Sequence, residues 1–164
     1  MNPQRERGMR AEREACALLS RALHIDVRRM ANQGIREDIG DLIGVPDTTI
    51  QVSAVPDSPT KIHDRATRKT VDVEKQRARA GDTHAVVLLR IDGGHWRAVC
   101  TTPQLHRLGV NIADAAVFKD PPAPGVTIRW APMFSCRDWS LAGGLWVATI
   151  DGWARTWQQT VAAR

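Results

Sequence analysis

The sequence predicts an α/β domain in which helices flank a mixed β-sheet, and three stretches support that prediction. Apolar residues recur at helical spacing over residues 9–23. Residues 50–53, Ile-Gln-Val-Ser, alternate as in a half-buried strand. Residues 83–91, THAVVLLRI, form the continuous apolar run that is typical of a strand buried on both faces. With the intervening stretches, the elements follow the order αβββαβ.

The first helix is predicted over Met9–Leu23, after a polar stretch, residues 1–8, that we expect to be frayed. At ~100° per residue, the apolar stripe of this helix also contains Glu12, whereas Glu14 points the other way. A carboxylate on a buried face is costly unless it meets a cation, a metal or hydrogen-bond donors. Glu12 is therefore either a functional ligand or an acid at the end of the stripe that pairs with an arginine.

A short strand and a hairpin follow the first helix. The strand is predicted over His24–Met30, and a polar loop, Ala31–Arg36, leads from it to the hairpin, Glu37–Val55. A tight turn at Gly44-Val45-Pro46-Asp47 separates the two strands of this hairpin.

The hairpin carries polar groups that are candidates for a functional site. Asp38 and Asp41 precede its turn. Because side chains alternate along a strand, Gln51 and Ser53 project from one face of its second strand. Three arginines lie close to these groups in the sequence, and the planar donors of arginine suit phosphate oxygens. They are Arg28, Arg29 and Arg36.

The middle of the chain is predicted to contain one basic helix and a second hairpin. The helix spans about Arg65–Ala80, after a loop over residues 56–64, and Gly81 is a suitable cap for its end. It has many cations and few apolar residues, so its surface is either mostly solvated or faces an anion. Two strands and a short helix follow, over Thr83–Ile91, His95–Cys100 and Thr101–Leu108.

The C-terminal third is rich in tryptophan. After a break at residues 121–125, strands are predicted over residues 126–130 and 145–150, and a closing helix over residues 153–163. Its tryptophans either anchor a small core or a subunit interface, or stack on unpaired bases. We treat residues 1–110 as the core domain and residues 111–164 as an extension packed on it or at a subunit interface.

Composition restricts the partners and the compartment. The chain has 164 residues and a formal net charge of +5, which favours a polyanionic partner unless the charge only keeps the surface soluble. Its three cysteines form no CxxC pair, so neither a disulfide framework nor a structural zinc site is expected. No stretch approaches ~18 apolar residues, so we expect a cytoplasmic protein that does not enter a membrane.

Three short motifs accompany the predicted order of elements. Residues 8–14, GMRAERE, open the first helix with a glycine and a Glu-Arg-Glu run, and residues 40–46, GDLIGVP, lead into a proline-containing hairpin. Residues 50–53, IQVS, form the second strand of that hairpin. In these features, over about residues 8–100, the chain resembles the PD-(D/E)XK nucleases, and among them the archaeal and bacteriophage Holliday junction resolvases.

The resemblance implies a restriction-endonuclease-like core with a site for Mg²⁺ or Mn²⁺. Glu12 and Asp41 match metal-binding acids of the family. Gln51 stands where the family has a glutamate, and its amide oxygen is a neutral ligand at best. Ser53 stands where the family has a lysine, and its hydroxyl supplies no cation. The implied catalytic residues are Glu12, Asp41, Gln51 and Ser53, of which the first three are the metal ligands.

Groups from elsewhere in the chain could replace the missing acid and lysine. Lys61 lies in the loop after the hairpin, and Glu74 and Lys75 lie in the basic helix. Gln76 is expected to be a solvated residue of that helix, with support of the site as a polar neighbour as the alternative.

Two functions follow from the resemblance. The first is a metal-dependent, structure-selective DNA endonuclease that acts on branched or duplex DNA as a homodimer, in the host cytoplasm if a phage encodes it. The second is a nuclease fold that has lost cleavage and serves as a DNA-junction or protein-binding module. An unrelated basic α/β domain is a third alternative. The residues expected to hold DNA are Arg13, Arg28, Arg29, Arg36, Lys61, Arg68 and Lys69.

Overall fold

The structure of the protein is a computed structural model that describes residues 3–30, 40–112, 116–117, 134–136 and 138–163. In this part of the chain, four helices and nine strands are present. The helices are α1 Pro3–Leu23, α2 Pro59–Ala80, α3 Thr102–Arg107 and α4 Ile150–Ala162. The strands are β1 Arg28–Arg29, β2 Leu42–Ile43, β3 Thr48–Val55, β4 His84–Ile91, β5 His95–Cys100, β6 Ala116–Val117, β7 Phe134–Cys136, β8 Trp139–Ala142 and β9 Leu145–Ala148.

The described strands form one sheet in the order β1-β2-β3-β4-β5-β9-β8-β7-β6. β3 and β4 run parallel, and all other neighbouring strands run antiparallel. A parallel pair needs a long crossover connection, and α2 provides it between β3 and β4. The sheet is therefore mixed and flanked by helices, and this part of the predicted fold class is confirmed.

The sheet separates two hydrophobic clusters. Val86 and Leu88 of β4 pack with α1, α3 and α4, whereas Val87 and Leu89 pack with α2. β4 is thus buried on both faces, which explains its continuous apolar sequence.

The residues after position 110 extend the sheet and complete the core. β9 pairs with β5, and α4 packs against α1. Trp146, Ala148 and Trp157 belong to the hydrophobic cluster that includes the buried face of α1. Described residues on both sides of position 110 therefore belong to the same sheet and to the same hydrophobic cluster. The division into a core domain, residues 1–110, and an extension, residues 111–164, stays a prediction.

Four tryptophans of the C-terminal third, including Trp153, are buried. Three of them donate a hydrogen bond from Nε1 to a threonine hydroxyl at 3.0–3.1 Å, which keeps the apolar contact area of the ring without leaving its N–H unpaired. These side chains anchor the core and are not available for stacking on bases. The pairs are Trp139 with Thr156, Trp146 with Thr102 and Trp157 with Thr48.

Both long helices begin earlier than predicted. α1 begins at Pro3 rather than Met9, because residues 4–7, Gln-Arg-Glu-Arg, are good helix formers that need no apolar partner. α2 begins at Pro59, where a loop was predicted, because the φ of proline suits the first turn of a helix. Lys61 consequently lies in α2 and not in a loop.

The other local predictions have mixed outcomes. The strand predicted over His24–Met30 is limited to Arg28–Arg29. β5 has the predicted bounds, and Gly81 caps α2 in the left-handed conformation, with φ 77°. The predicted loop at residues 31–36, the first residues of the hairpin and the segments at residues 121–125 and 126–130 lie outside the described residues.

Candidate nucleic-acid interface

Glu12 and Asp41 line one cavity of about 530 Å³, which we call the acid pocket. α1 contributes Glu12, and the residues just before β2 contribute Asp41. Both side chains that matched family acids are therefore found in the wall of one pocket. The lining residues are Arg5, Gly8, Met9, Glu12, Arg29, Met30, Gly40 and Asp41.

Both acids of this pocket have partners. Arg29 donates from Nε to the Glu12 carboxylate at 2.7 Å, so Glu12 is paired with an arginine. The Asp41 carboxylate accepts a hydrogen bond of 2.6 Å from the Val52 N–H. β2 begins only at Leu42, so none of its residues lies opposite Val52. The Asp41 carboxylate therefore accepts the hydrogen bond from the Val52 N–H that a longer β2 would have accepted. Asp41 thus has a structural task besides any chemical one.

Gln51 and Ser53 do not belong to the acid pocket. Ile50 and Val52 pack in the cluster of α1, whereas Val55 packs in the cluster of α2. Since strand side chains alternate, Gln51 and Ser53 share the face of Val55 and lie between β3 and α2. They are 5% and 6% exposed, which encloses both side chains.

A polar layer from α2 covers these two side chains. Arg65 donates from Nη1 to the Ser53 hydroxyl at 3.2 Å. Gln51 Oε1, Arg65 Nε and Gln76 Oε1 are buried without a hydrogen-bond partner in the structure. Arg65 of α2 therefore brings a guanidinium to Ser53, which the resemblance matches to the lysine of the family.

The replacements suggested by the sequence lie elsewhere. Glu74 accepts hydrogen bonds from Gln104 at 3.2 Å and Arg107 at 2.6 Å, which connect α2 to α3, and one of 2.8 Å from Arg77 within α2. Burial alone would raise the pKa of Glu74, but these neighbours outweigh it and lower the pKa. Lys61 and Lys75 are exposed. Gln76 lies on the buried face of α2, so the expectation of a solvated residue is wrong, and a supporting role stays a prediction.

Glu14 was expected on the solvent side of α1, and its position differs. Arg90 of β4 donates to its carboxylate at 2.5 Å, and Arg10 donates to its second oxygen at 2.9 Å. The hydrogen bond from Arg90 is the main cause of the lowered pKa of Glu14, and it outweighs the opposing effect of burial. Glu14 therefore ties α1 to the sheet.

A row of cations runs along one side of α2, which we call the basic stripe. Its four members recur at helical spacing, are exposed, and form no ion pair within the described residues. At 1.5 Å per residue, the stripe is about 27 Å long. The stripe could have been found in the sequence by marking cations at helical spacing, which would have added its last two members to the predicted set. The four are Lys61, Arg68, Lys75 and Arg79.

Three of the remaining cations predicted to hold DNA are paired with acidic side chains. Arg28 pairs with Asp26, which raises the pKa of its guanidinium, and Lys69 lies 3.9 Å from Asp72. Arg29 is engaged by Glu12. Arg13 is exposed on α1, and Arg36 lies outside the described residues.

No group of three or more His, Cys, Asp or Glu side chains in the described part of the chain could hold a metal ion. Gln51 faces α2, so the described residues do not bring all three expected ligands into one pocket, and metal binding itself stays a prediction. No protein-family model matches the chain, and no curated protein or solved structure is significantly similar to it. Among the described helices, none has the length and apolar character needed to cross a membrane.

Proposed function

We propose that this chain binds DNA, with branched DNA as its preferred form, on a restriction-endonuclease-like αβββαβ framework that has lost cleavage. The observation that carries the DNA-binding part is the basic stripe of α2. Exposed cations without carboxylate partners are free to replace the counterions of a phosphate backbone, and release of those counterions drives binding. The stripe has a length comparable to about eight base pairs of duplex.

The loss of cleavage rests on the position of Gln51 and Ser53. A hydrolytic site of this family needs charged groups that project together into one metal site. Removing one preorganised electrostatic group commonly costs on the order of 10²–10³ in rate. In this chain β3 has Gln51 and Ser53 in place of the glutamate and the lysine of the family, so it supplies neither charged group. The preference for branched DNA and the homodimer come from the resemblance, since a two-fold dimer matches the equivalent phosphates of a four-way junction.

Metal-dependent cleavage is the second candidate function, because Glu12 and Asp41 share the acid pocket. Mg²⁺ is commonly bound through one or two carboxylates together with phosphates of the substrate. Under this proposal Arg29 must release Glu12 when DNA binds.

The test of DNA binding is fluorescence anisotropy with a labelled four-way junction and a linear duplex, at several salt concentrations. We expect tighter binding to the junction, and a logarithmic salt slope that falls by about one for each stripe cation removed. The double variant Arg68→Gln/Arg79→Gln should bind at least tenfold more weakly at low salt. Equal affinity for both DNA forms would remove the junction from the proposal.

The matched control is Arg7→Gln/Arg21→Gln. It removes two exposed arginines of α1, so its net charge equals that of the stripe variant. We expect less than a threefold loss of affinity for this control. A similar loss in both variants would mean that only net charge matters and would overturn the role of the stripe.

Cleavage is tested on the same labelled junction with Mg²⁺, with Mn²⁺ and with EDTA. Binding without nicks in either metal is the expected result. Metal-dependent paired nicks that disappear in Asp41→Asn would establish the second candidate function instead. The stoichiometry of the complex, measured by analytical ultracentrifugation, tests the dimer.

A further inference from the structure

A second cavity, of about 500 Å³, opens on the α2 side of the sheet, and we call it the sheet pocket. The first turns of α2 form one wall, and strands β4, β5, β8 and β9 form the floor. Side chains alternate between the two faces along these strands. Those that project into the pocket lie on the same face of the sheet as the buried Val99 and Leu145. α1 and Glu12 lie on the opposite face of the sheet, so this cavity is separate from the acid pocket.

Part of the lining of the sheet pocket is apolar. Ile62 of α2, Ile91 of β4, and Ala142 and Val147 of the last two strands contribute to it. A cleft of several hundred Å³ with apolar walls and a few polar groups is typical of small-molecule sites. Its volume suits a molecule of about the size of a mononucleotide.

Three polar side chains of the pocket have hydrogen-bonding groups that the described fold does not use. The Arg97 side chain donates one hydrogen bond, of 2.8 Å, from Nη1 to the carbonyl of Trp96, and no carboxylate of the described residues pairs with it. The side chains of His95 and Ser140 make no hydrogen bond within the described part of the chain. A half-buried guanidinium with unused donors is matched by an anion with several oxygens, because the two form charge-assisted hydrogen bonds.

Neither of the two described acids that line the pocket forms an ion pair with Arg97. Both oxygens of Asp138 accept from Arg155, the shorter bond being 2.7 Å. Asp57 also has an interaction of its own. Arg97 is therefore the cation in this pocket without a described acidic partner.

Two helices begin at the pocket, and their N-terminal ends bring partial positive charge to it. Pro59 and Thr149, at the starts of α2 and α4, both line it. Thr149 caps α4 through the Gly152 N–H, whereas Ser58, the N-cap residue of α2, makes no side-chain cap hydrogen bond. The N-terminal end of a helix carries partial positive charge and free N–H groups.

We propose that the sheet pocket binds a small organic anion, with its phosphate or carboxylate on Arg97 and its apolar body against Ile62, Ile91 and Val147. Ser140 and His95 are placed to bond to polar atoms of the same molecule. This binding is independent of the proposed interaction with DNA, which uses α2 from its outer side.

The test is isothermal titration calorimetry of the full chain with two probes, adenosine 5′-monophosphate as an organic phosphate and N-acetyltryptophan as an aromatic carboxylate. Adenosine alone reports the contribution of the nucleoside part to binding, and inorganic phosphate alone reports the contribution of the anionic group. We expect saturable binding of at least one probe, and at least tenfold weaker binding of adenosine and of inorganic phosphate. Binding of the organic phosphate alone or of the carboxylate alone supports the proposal and identifies the anion.

Arg97→Gln should weaken binding of the active probe at least tenfold, whereas Arg79→Gln, which removes a cation from the basic stripe, should leave it unchanged. Ser140→Leu, which fills the pocket without changing charge, should also abolish binding, so the proposal stays testable if Arg97→Gln does not fold. Neither pocket variant should change the affinity for the four-way junction. Absence of saturable binding for both probes, or equal binding by the Arg97 and Arg79 variants, would overturn the proposal.

Discussion

The guanidinium of Arg65 donates a hydrogen bond to the hydroxyl of Ser53, at 3.2 Å, beneath α2. Ser53 is the residue that the resemblance to the resolvases matches to the lysine of their pattern. The cation at this point of the sheet is thus supplied by the helix after β3, and the strand supplies a neutral acceptor. A strand lysine and Arg65 would be two like charges in one enclosed space, and their repulsion disfavours the simple restoration of the motif.

Ser53→Lys should therefore destabilise the protein and should not create a nuclease. A lysine at a position that is 6% exposed, beside Arg65, is an uncompensated buried charge, and we expect a loss of more than about 2 kcal/mol in the free energy of unfolding. Urea denaturation followed by tryptophan fluorescence measures it. Ser53→Ala is the control, and it should cost only about 1 kcal/mol for one hydrogen bond. A Ser53→Lys protein as stable as the control would contradict the proximity of Arg65.

Asp41→Asn and Asp41→Ala should separate the structural and chemical roles of this residue. Asparagine keeps an oxygen that can accept from the Val52 N–H, whereas alanine leaves that donor without its partner. We expect Asp41→Ala to lower the free energy of unfolding by about 1–3 kcal/mol and Asp41→Asn by clearly less. Equal losses in thermal and urea unfolding would show that the charge of Asp41, and not its acceptor oxygen, stabilises the edge of β3.

Glu14→Gln should flatten the loss of stability in acid. The hydrogen bond from Arg90 lowers the pKa of Glu14 in the folded protein below its ordinary value of 4.5, so the unfolded chain takes up this proton first as the pH falls. The stabilisation is present above pH ~4.5 and disappears as the pH drops through the folded pKa. Urea denaturation between pH 3 and pH 7 measures the slope. An unchanged slope in Glu14→Gln would contradict a stabilising role of the hydrogen bond from Arg90.

Trp157 and Thr48 should show an interaction energy in a double-mutant cycle. The indole Nε1–H donates to the Thr48 hydroxyl at 3.0 Å, inside the core. Trp157→Phe removes the donor to the Thr48 hydroxyl, which still donates to the Pro46 carbonyl at 2.8 Å, whereas Thr48→Val strands the indole N–H. Each single variant should cost about 1–3 kcal/mol, and Thr48→Val the more of the two for this hydrogen bond. The double variant removes both polar partners and should cost less than the sum of the two. Additive losses in urea denaturation would mean that this hydrogen bond contributes nothing of its own.

Local patterns in the sequence predicted the elements that depend on local forces. The turn after Gly44, the strands β4 and β5 and the cap at Gly81 follow from backbone preferences and short-range alternation. The start of α2 was missed because Pro59 was interpreted as a loop residue, although Ser-Pro at a helix start is a known signal.

The arrangement of the candidate site depended on contacts that no local pattern contains. The face of β3 on which Gln51 lies is defined by the helices that cover the two sides of the sheet, and Glu12 meets Arg29 across 17 positions of sequence. The sheet pocket combines residues of α2 with strands near the C-terminal end of the described chain, so periodicity could not reveal it.

The pairing of β5 with β9 has a consequence for the synthesis of the protein. β3 is made long before α4, and the hydrogen bond between Thr48 and Trp157 spans 109 positions of sequence. While the ribosome produces the intervening segment, the partly made sheet has an open edge at β5 and an uncovered apolar face, which are the features that promote pairing with other chains. The nascent chain therefore depends on the arrival of β9 and α4 to close both sites of aggregation.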